Sequence, residues 1–151
     1  METSAGHASR LIPAQPRRLS VTQKLSLVAE ILRSYRRARR ELGREDLRLT
    51  LRTLRGEPAP RRPEPLDPET YGEALRMGSV VSRVCRPLPI DSRCLTQSLV
   101  LTALLSRRGV GSSLVIGVRR GESFGAHAWV ELDGRPLLPT GAGAFERLVE
   151  L

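Results

Sequence analysis

The sequence predicts an α+β protein in which one helix packs on a small antiparallel sheet, behind a helical N-terminal region. Three observations lead to this prediction. Apolar residues recur at helical spacing as far as Arg108, and the pattern then changes to two short apolar runs that are typical of buried strands. The dipeptide Asp133-Gly134 follows the second run and is a strong hairpin signal. The length of 151 residues suffices for one domain with a single core.

The first helix is predicted to begin at Ser20, because Ser20 and Gln23 have the spacing of a capping box. Residues 1–18 before it are polar, and we expect a disordered tail there. The helix ends at Gly43, and its apolar stripe consists of Val21, Leu25, Val28, Leu32 and Tyr35. A second, shorter helix carries Leu47, Leu51 and Leu54. Residues 57–68 then contain five prolines, which predicts an extended linker.

Two further helices are predicted after the linker. Asp67-Pro68 is a typical helix start, with Asp as the N-cap and Pro at the first helical position. The side chains of this third helix that we expect to point inward are Tyr71, Leu75, Val81 and Val84. The fourth helix runs from Cys94 to Arg108 and is approached by a proline-rich segment.

The remaining residues are predicted to form a sheet. Its strands are residues 112–118, residues 126–132 and, after the turn, residues 135–138, while residues 145–151 form a short helix or an edge strand. We therefore divide the chain into a tail (1–18), a helical region with the Pro-rich linker (19–68) and a C-terminal core (69–151).

The composition and charge restrict the classes of protein that we consider. Aromatic residues make up only 3% of the chain, so the core has to be built from Leu, Val, Ile and Ala. The net charge of +9 would suit a nucleic-acid-binding protein, but the arginines are scattered and no binding module accompanies them. We expect a solvated basic helix face, or one that docks an acidic partner, and no nucleic acid.

The sequence also predicts a cytoplasmic location without a membrane partner. No apolar run has the length of a membrane span, and residues 1–16 lack the apolar segment of a secretory signal. The two cysteines, Cys85 and Cys94, are too few for a disulfide framework, so we expect both thiols to be reduced. No His/Cys cluster surrounds Cys85, so it is expected to be a buried helix-end residue, and we expect no metal and no cofactor.

Cys94 is a candidate nucleophile because it lies in the first turn of its predicted helix. The unpaired backbone N–H groups there favour a thiolate and can also receive an oxyanion. A single cysteine on an apolar helix is more often a small core residue, however, so Cys94 alone indicates little.

His127 strengthens the case, since it is the one histidine outside the tail and has the small neighbours Ala126 and Ala128. The chain passes from Cys94 through one strand to His127 on the next strand. A helix packed on an antiparallel sheet can bring such a thiol and imidazole together as nucleophile and general base.

A third catalytic member is harder to assign. The two-residue turn places Pro139 or Thr140 beside His127, and residues 135–141 contain no carboxylate. Thr140 could accept a hydrogen bond from the imidazole, and Asp91 could either reach the site or only cap the helix. Glu131 shares the strand face of His127 but lies roughly 13 Å along it, too far for a direct hydrogen bond.

Two other residues are candidates for substrate binding. Trp129 shares a strand face with His127 and either walls a substrate groove or belongs to the core. Gln97 lies one helical turn after Cys94 and either points at the cleft or is a solvated polar position.

Four segments of the sequence resemble the transglutaminase-core peptidases of lasso-peptide biosynthesis, in their standalone form. They are residues 88–101, 104–109, 114–118 and 126–134, the last of which reads Ala-His-Ala-Trp-Val-Glu-Leu-Asp-Gly. The resemblance covers residues 70–151 well, whereas the N-terminal half has less specific motifs. It implies a papain- or transglutaminase-like core, with Cys94 matching the nucleophile and His127 the base.

The resemblance also implies a function. Such peptidases cleave the leader from a ribosomally made precursor peptide before an ATP-dependent lasso cyclase closes the macrolactam. A separate leader-recognition protein delivers the precursor, and we expect the basic face around Arg36, Arg37 and Arg40 to dock it. The family commonly has an acid on the strand after the histidine, which this sequence lacks. Two alternatives therefore stay open: an amide-forming acyl transferase of the same fold, or a scaffold that has lost catalysis.

Overall fold

The computed structural model describes residues 20–43, 46–56, 67–88, 93–120, 124–141 and 145–151. Within them four helices precede four strands: α1 (Val21–Leu42), α2 (Leu47–Arg55), α3 (Pro68–Cys85), α4 (Arg93–Arg107), β1 (Ser113–Arg119), β2 (Gly125–Leu132), β3 (Arg135–Pro136) and β4 (Glu146–Glu150). The strands form one antiparallel sheet in the order β3-β2-β1-β4. The predicted α+β fold is confirmed.

Helix α4 lies at the centre of the molecule. Between Thr96 and Leu105 every residue except Gln97 is buried. A helix that is apolar all round must be covered on all sides, and α1, α2, α3, β1 and β2 all pack against α4. One buried cluster therefore joins side chains of the N-terminal helices to those of α4 and the sheet.

Helix α1 begins as predicted, and of its predicted apolar stripe Tyr35 is buried while Val28 and Leu32 are partly buried. Ser20 and Gln23 form the capping box, with each side chain accepting a hydrogen bond from the other's backbone N–H. The predicted stripe is wrong for Val21 and Leu25, which are 71% and 65% exposed. The buried residues are Ile31, Ser34, Tyr35 and Ala38. The contact with α4 selects this face, and no layer of the described residues covers the first turns.

Helix α2 matches its prediction and fastens the N-terminal region to the sheet. Leu51 and Leu54 are buried, as the apolar spacing predicts. The half-buried guanidinium of Arg55 donates to the carbonyl of Ser112 at 2.7 Å and to that of Leu151 at 3.0 Å. These two hydrogen bonds connect the end of α2 to the beginning of β1 and to the residue after β4.

Helix α3 has the predicted cap but a shifted buried face. Asp67 accepts a hydrogen bond from the Thr70 backbone, and Pro68 occupies the first turn. The buried residues are Ala74, Gly78, Val81 and Cys85. Val81 therefore agrees with the prediction, whereas Leu75 is 36% exposed and the prediction for it is wrong. The face that contains Gly78 is the buried one because glycine has no side chain, so the residues after β3 can pack closely against the helix there.

The hairpin after β2 has the predicted register. Asp133 and Gly134 both have positive φ, at 50° and 73°, as a type I′ turn requires, and Leu132 pairs with Arg135. Strand β3 is shorter than the predicted residues 135–138. Pairing ends after the Leu137 N–H donates to the Val130 carbonyl, and Pro139 has no N–H with which to continue it.

Strand β4 resolves the alternative left open for the last residues. It is an edge strand that pairs with β1, not a helix. The predicted tail (1–18), most of the Pro-rich linker and Asp91 lie outside the described residues. None of the described helices is long and apolar enough to cross a membrane.

Candidate active site

Cys94 is the second residue of α4, so the prediction that it lies in the first helical turn is confirmed. Its thiol is free and partly exposed, and it packs against the edge of the core. The first backbone N–H groups of a helix have no partner within the helix and carry a partial positive charge. This position offers N–H donors to an oxyanion next to it.

His127 lies in β2 and is partly exposed. Its Nε2 atom is 2.8 Å from the carbonyl oxygen of Pro139. A carbonyl oxygen only accepts hydrogen bonds, so Nε2 must carry a hydrogen and act as the donor. In the neutral ring Nδ1 then carries no hydrogen. It is the basic nitrogen and can accept a proton, as a general base must.

Two aromatic rings hold the imidazole of His127. The Trp129 ring is stacked with it at 6.1 Å between centroids and 20° between planes. The Phe145 ring lies on it at 5.5 Å with a tilt of 39°. Sequence reasoning treated Phe145 only as part of the last element, because a single aromatic before an edge strand carries no signal of its own.

Two glycines leave space for the rings of His127, Trp129 and Phe145. A Cβ atom on Gly117, which pairs with His127 across the sheet, would lie 2.9 Å from the Trp129 ring. A Cβ atom on Gly141 would lie 2.9 Å from the Phe145 ring and 3.2 Å from the imidazole, and its φ of +87° also favours glycine. The sequence analysis did not single out either glycine as part of the site.

A buried carboxylate lies at the far side of Trp129. The indole N–H donates to Oε1 of Glu131 at 2.7 Å, and Oε2 of Glu131 pairs with Arg147 at 2.5 Å. Glu131 is only 4% exposed. The structure thus places Trp129 between Glu131 and His127, where the sequence analysis excluded a direct contact between the two.

The acceptor next to His127 is a backbone atom. Thr140 is exposed, and within the described residues no hydrogen bond joins it to His127. The Pro139 carbonyl occupies the orienting position instead, one residue earlier in the chain. Asp91 lies outside the described residues. The assignment of Thr140 or Asp91 as third catalytic member stays a prediction.

The other residues that the sequence analysis considered, Gln97, Trp129 and Cys85, are half-buried or buried. Gln97 is half-buried and accepts a hydrogen bond from the Ser82 hydroxyl on α3 at 3.3 Å. Trp129 is 4% exposed, which favours the core among its two possible roles. Cys85 is fully buried, and desolvation raises the pKa of its thiol to about 11. Of the two thiols, Cys94 is therefore the one with chemical access.

A thiol at the start of a buried helix and an oriented imidazole on the adjoining sheet are the features of a papain- or transglutaminase-like site. The family model of the transglutaminase-like superfamily matches residues 14–150, and the chain belongs to this superfamily. The match includes α1 and α2 as well as the C-terminal core. This superfamily includes cysteine peptidases and acyl transferases. Comparisons with curated proteins and with solved structures gave no significant match.

Proposed function

We propose that the protein is a cysteine peptidase that removes the leader from a ribosomally synthesised lasso-peptide precursor before macrolactam formation. One observation carries the catalytic part of this proposal: the hydrogen bond from His127 Nε2 to Pro139 leaves Nδ1 as the base. The motif resemblance around Cys94 and His127, in a chain of the transglutaminase-like superfamily, supports the choice of substrate.

The reaction would proceed by acyl transfer. Nδ1 of His127 takes the proton of Cys94, and the thiolate attacks the scissile carbonyl of the precursor. The N–H groups of the first turn of α4 stabilise the oxyanion. The core peptide leaves with a new amine after accepting the proton from His127, and water then hydrolyses the leader thioester. The reaction needs no cofactor and takes place in the cytoplasm, where the thiols remain reduced.

Three partners belong to this proposal. The precursor peptide is the substrate, a leader-recognition protein delivers it, and the lasso cyclase consumes the freed amine. The exposed arginines Arg36, Arg37 and Arg40 of α1 support the docking of the recognition protein. We propose no contact with nucleic acid or with a membrane.

The direct test is a cleavage assay with the cognate precursor and its recognition protein, followed by mass spectrometry of leader and core. We expect Cys94→Ala and His127→Ala each to lower the cleavage rate by at least about a thousandfold, because nucleophile and base act as a unit. Cys85→Ala is the matched control, since Cys85 is buried and outside the site. Equal cleavage by the wild type and Cys94→Ala would contradict the peptidase function.

One observation favours the scaffold as a second candidate: His127 bonds to a backbone carbonyl where the family commonly has an acid. A thiol-directed electrophile distinguishes the two, because only an activated Cys94 reacts quickly at neutral pH. Cys85 serves as the internal control, since burial raises its pKa to about 11. Slow labelling of Cys94, equal to that of Cys85, would support the scaffold. Formation of an amide with an added amine would support the acyl transferase.

A further inference from the structure

Glu131 is a buried carboxylate that the proposed mechanism does not use. It lies on the same face of β2 as His127 and Trp129, which precede it by four and two residues along the strand. Burial of a charged carboxylate costs several kcal/mol unless partners compensate it. Here both oxygens have partners, and one of them is the indole that is stacked with the imidazole.

We propose that Glu131 is a positioning residue which, together with Arg147, fixes the Trp129 ring against His127 and thereby holds the imidazole in its reactive plane. This inference rests on the proposed acyl-transfer function of Cys94 and His127. It assigns to the network formed by Trp129, Glu131 and Arg147 a part of the orienting role that a carboxylate has in other members of the family.

The hydrogen bonds fix the indole in one orientation. Its N–H donates to Glu131 Oε1 at 2.7 Å, so rotation of the ring about its bond to Cβ would break a buried hydrogen bond. Leaving a buried donor and a carboxylate oxygen without a partner is unfavourable, so the bonded orientation is preferred. The opposite end of the indole lies over Gly117 of β1, where a Cβ atom would be 2.9 Å from the indole and 3.0 Å from the Phe145 side chain.

The ion pair fixes the carboxylate in turn. Arg147 on β4 reaches Glu131 Oε2 at 2.5 Å, and its second nitrogen contacts Glu150 at 3.3 Å. The Arg147 side chain is 49% exposed, whereas that of Glu131 is 5% exposed. The network thus spans three strands, from β2 across β1 to the edge strand β4, and ends at solvent.

Two other groups that restrain the imidazole are the Pro139 carbonyl and the Phe145 ring. Pro139 holds Nε2 through one hydrogen bond, which permits rotation of the ring around that contact. Phe145 lies against the ring at a tilt of 39°. Of the two aromatic rings, Trp129 is the one nearly parallel to the imidazole, at 20° between planes, and Glu131 accepts its indole N–H. A displacement of reacting groups by about 1 Å can cost about a hundredfold in rate.

The test compares Glu131→Ala and Glu131→Gln with Glu150→Ala as the matched control. Glu150 is the exposed carboxylate on Arg147, and its side chain is 55% exposed. For Glu131→Ala we expect kcat for precursor cleavage to fall about 10- to 100-fold with KM within about threefold, because positioning affects the transition state. Glu131→Gln keeps an oxygen for the indole N–H and should recover part of the rate, whereas Glu150→Ala should equal the wild type.

A spectroscopic readout is available because Trp129 is the single tryptophan of the chain. Its fluorescence should change in Glu131→Ala and stay unchanged in Glu150→Ala. Circular dichroism verifies that each variant is folded, and Glu131→Gln decides the matter if Glu131→Ala does not fold. A folded Glu131→Gln or Glu131→Ala with unchanged kcat and unchanged fluorescence would overturn the inference.

The alkylation rate of Cys94 by iodoacetamide separates this inference from the proposed substrate. The rate depends on the thiol and the imidazole alone, without any precursor. If the wild type alkylates quickly, and both His127→Ala and Glu131→Ala slow the reaction, the positioning role stands even where no leader is removed. If the precursor is cleaved while Glu131→Ala cleaves and alkylates like the wild type, the positioning role fails and the peptidase function stands.

Discussion

At the scale of single residues, a backbone carbonyl orients the candidate base. The Pro139 oxygen accepts a hydrogen bond from the Nε2–H of His127, and this selects the tautomer with a basic Nδ1. A carboxylate would in addition stabilise the imidazolium that forms during catalysis, which a neutral carbonyl does less well. For the proposed peptidase we therefore expect a moderate cleavage rate.

The role of Thr140 provides the first prediction. Thr140→Val should keep the cleavage rate within about threefold of the wild type, because this substitution leaves the Pro139 carbonyl in place and threefold corresponds to a small change in barrier. His127→Ala serves as the reference for a lost base in the same assay. A loss in Thr140→Val as large as that in His127→Ala would identify the hydroxyl as the third catalytic member.

At the scale of elements, the helices differ in how closely their neighbours approach them. Helix α3 contains two glycines, one against the chain after β3 and one in open space. A Cβ atom on Gly78 would lie 2.5 Å from the Leu137 carbonyl oxygen, whereas a Cβ atom on Gly72 would have nothing within 4 Å. Helix α3 therefore offers a tightly packed position, Gly78, and a matched control position, Gly72.

We predict opposite effects of alanine at these two positions. Gly78→Ala should lower the free energy of unfolding by about 1–3 kcal/mol, because a backbone carbonyl has to move. Gly72→Ala should raise it by about 0.5–1 kcal/mol, since alanine is the better helix former. Urea denaturation of both variants measures the difference. Equal unfolding midpoints would show that α3 and the segment after β3 are not in this contact.

Ion pairs lie at the edge of the contact between α1 and the end of α4. Glu30 pairs with Arg107 at 3.3 Å and with Arg108 at 2.8 Å. The hydrogen bond from Arg108 is the main cause that lowers the pKa of Glu30 below its ordinary value, against the opposing effect of burial. A carboxylate with a lowered pKa stabilises the fold above its unfolded pKa, and this contribution is lost as the pH falls through the folded value.

We accordingly predict that Glu30→Gln is less stable than the wild type at pH 7, by up to about 1 kcal/mol for a partly exposed pair. The difference should shrink as the pH falls below the ordinary carboxyl range, where the wild type also loses the charge. Urea midpoints of the two proteins at a series of pH values measure this. A difference that is constant down to acid pH would mean that Glu30 contributes by packing instead of by charge.

At the scale of the whole molecule, the arginines that give the net charge of +9 fall into two groups. Some make contacts within the fold, and others are exposed. Arg107, Arg108 and Arg55 take part in contacts within the fold, and Arg147 belongs to the network beside the active site. Arg36 and Arg40 on α1 are exposed, and Arg37 of the same helix donates to the Thr53 carbonyl at 3.0 Å. The exposed pair is therefore the better place to test partner docking.

We predict that Arg36→Glu/Arg40→Glu weakens binding of the leader-recognition protein at least about tenfold and reduces the loss of the remaining affinity on adding salt, because the attractive charges that salt screens are gone. The matched control is Arg76→Glu/Arg83→Glu, which makes the same change of charge at exposed positions of α3. Calorimetry at two salt concentrations measures both variants. Unchanged binding by the α1 variant, or equal weakening by both, would contradict a docking role for this helix face.

The sequence by itself determined the features that depend on neighbours in the chain. The capping box at Ser20, the Asp67-Pro68 helix start and the type I′ turn at Asp133-Gly134 follow from local backbone chemistry, and all are confirmed. The position of Cys94 in the first turn of α4 follows in the same way. Local hydrogen bonds and allowed φ values suffice to specify such features, whatever the rest of the chain does.

Only the tertiary structure decided which helix faces are buried and how the candidate site is held. Ile31 replaces Leu25 in the core because α4 packs on that side of α1. The Pro139 carbonyl reaches His127 because β3 stops pairing, and Glu131 accepts a hydrogen bond from Trp129, the ring stacked with His127. These contacts join residues through packing across strands and layers, and the free energy of such packing depends on the whole assembled core, not on local sequence pattern.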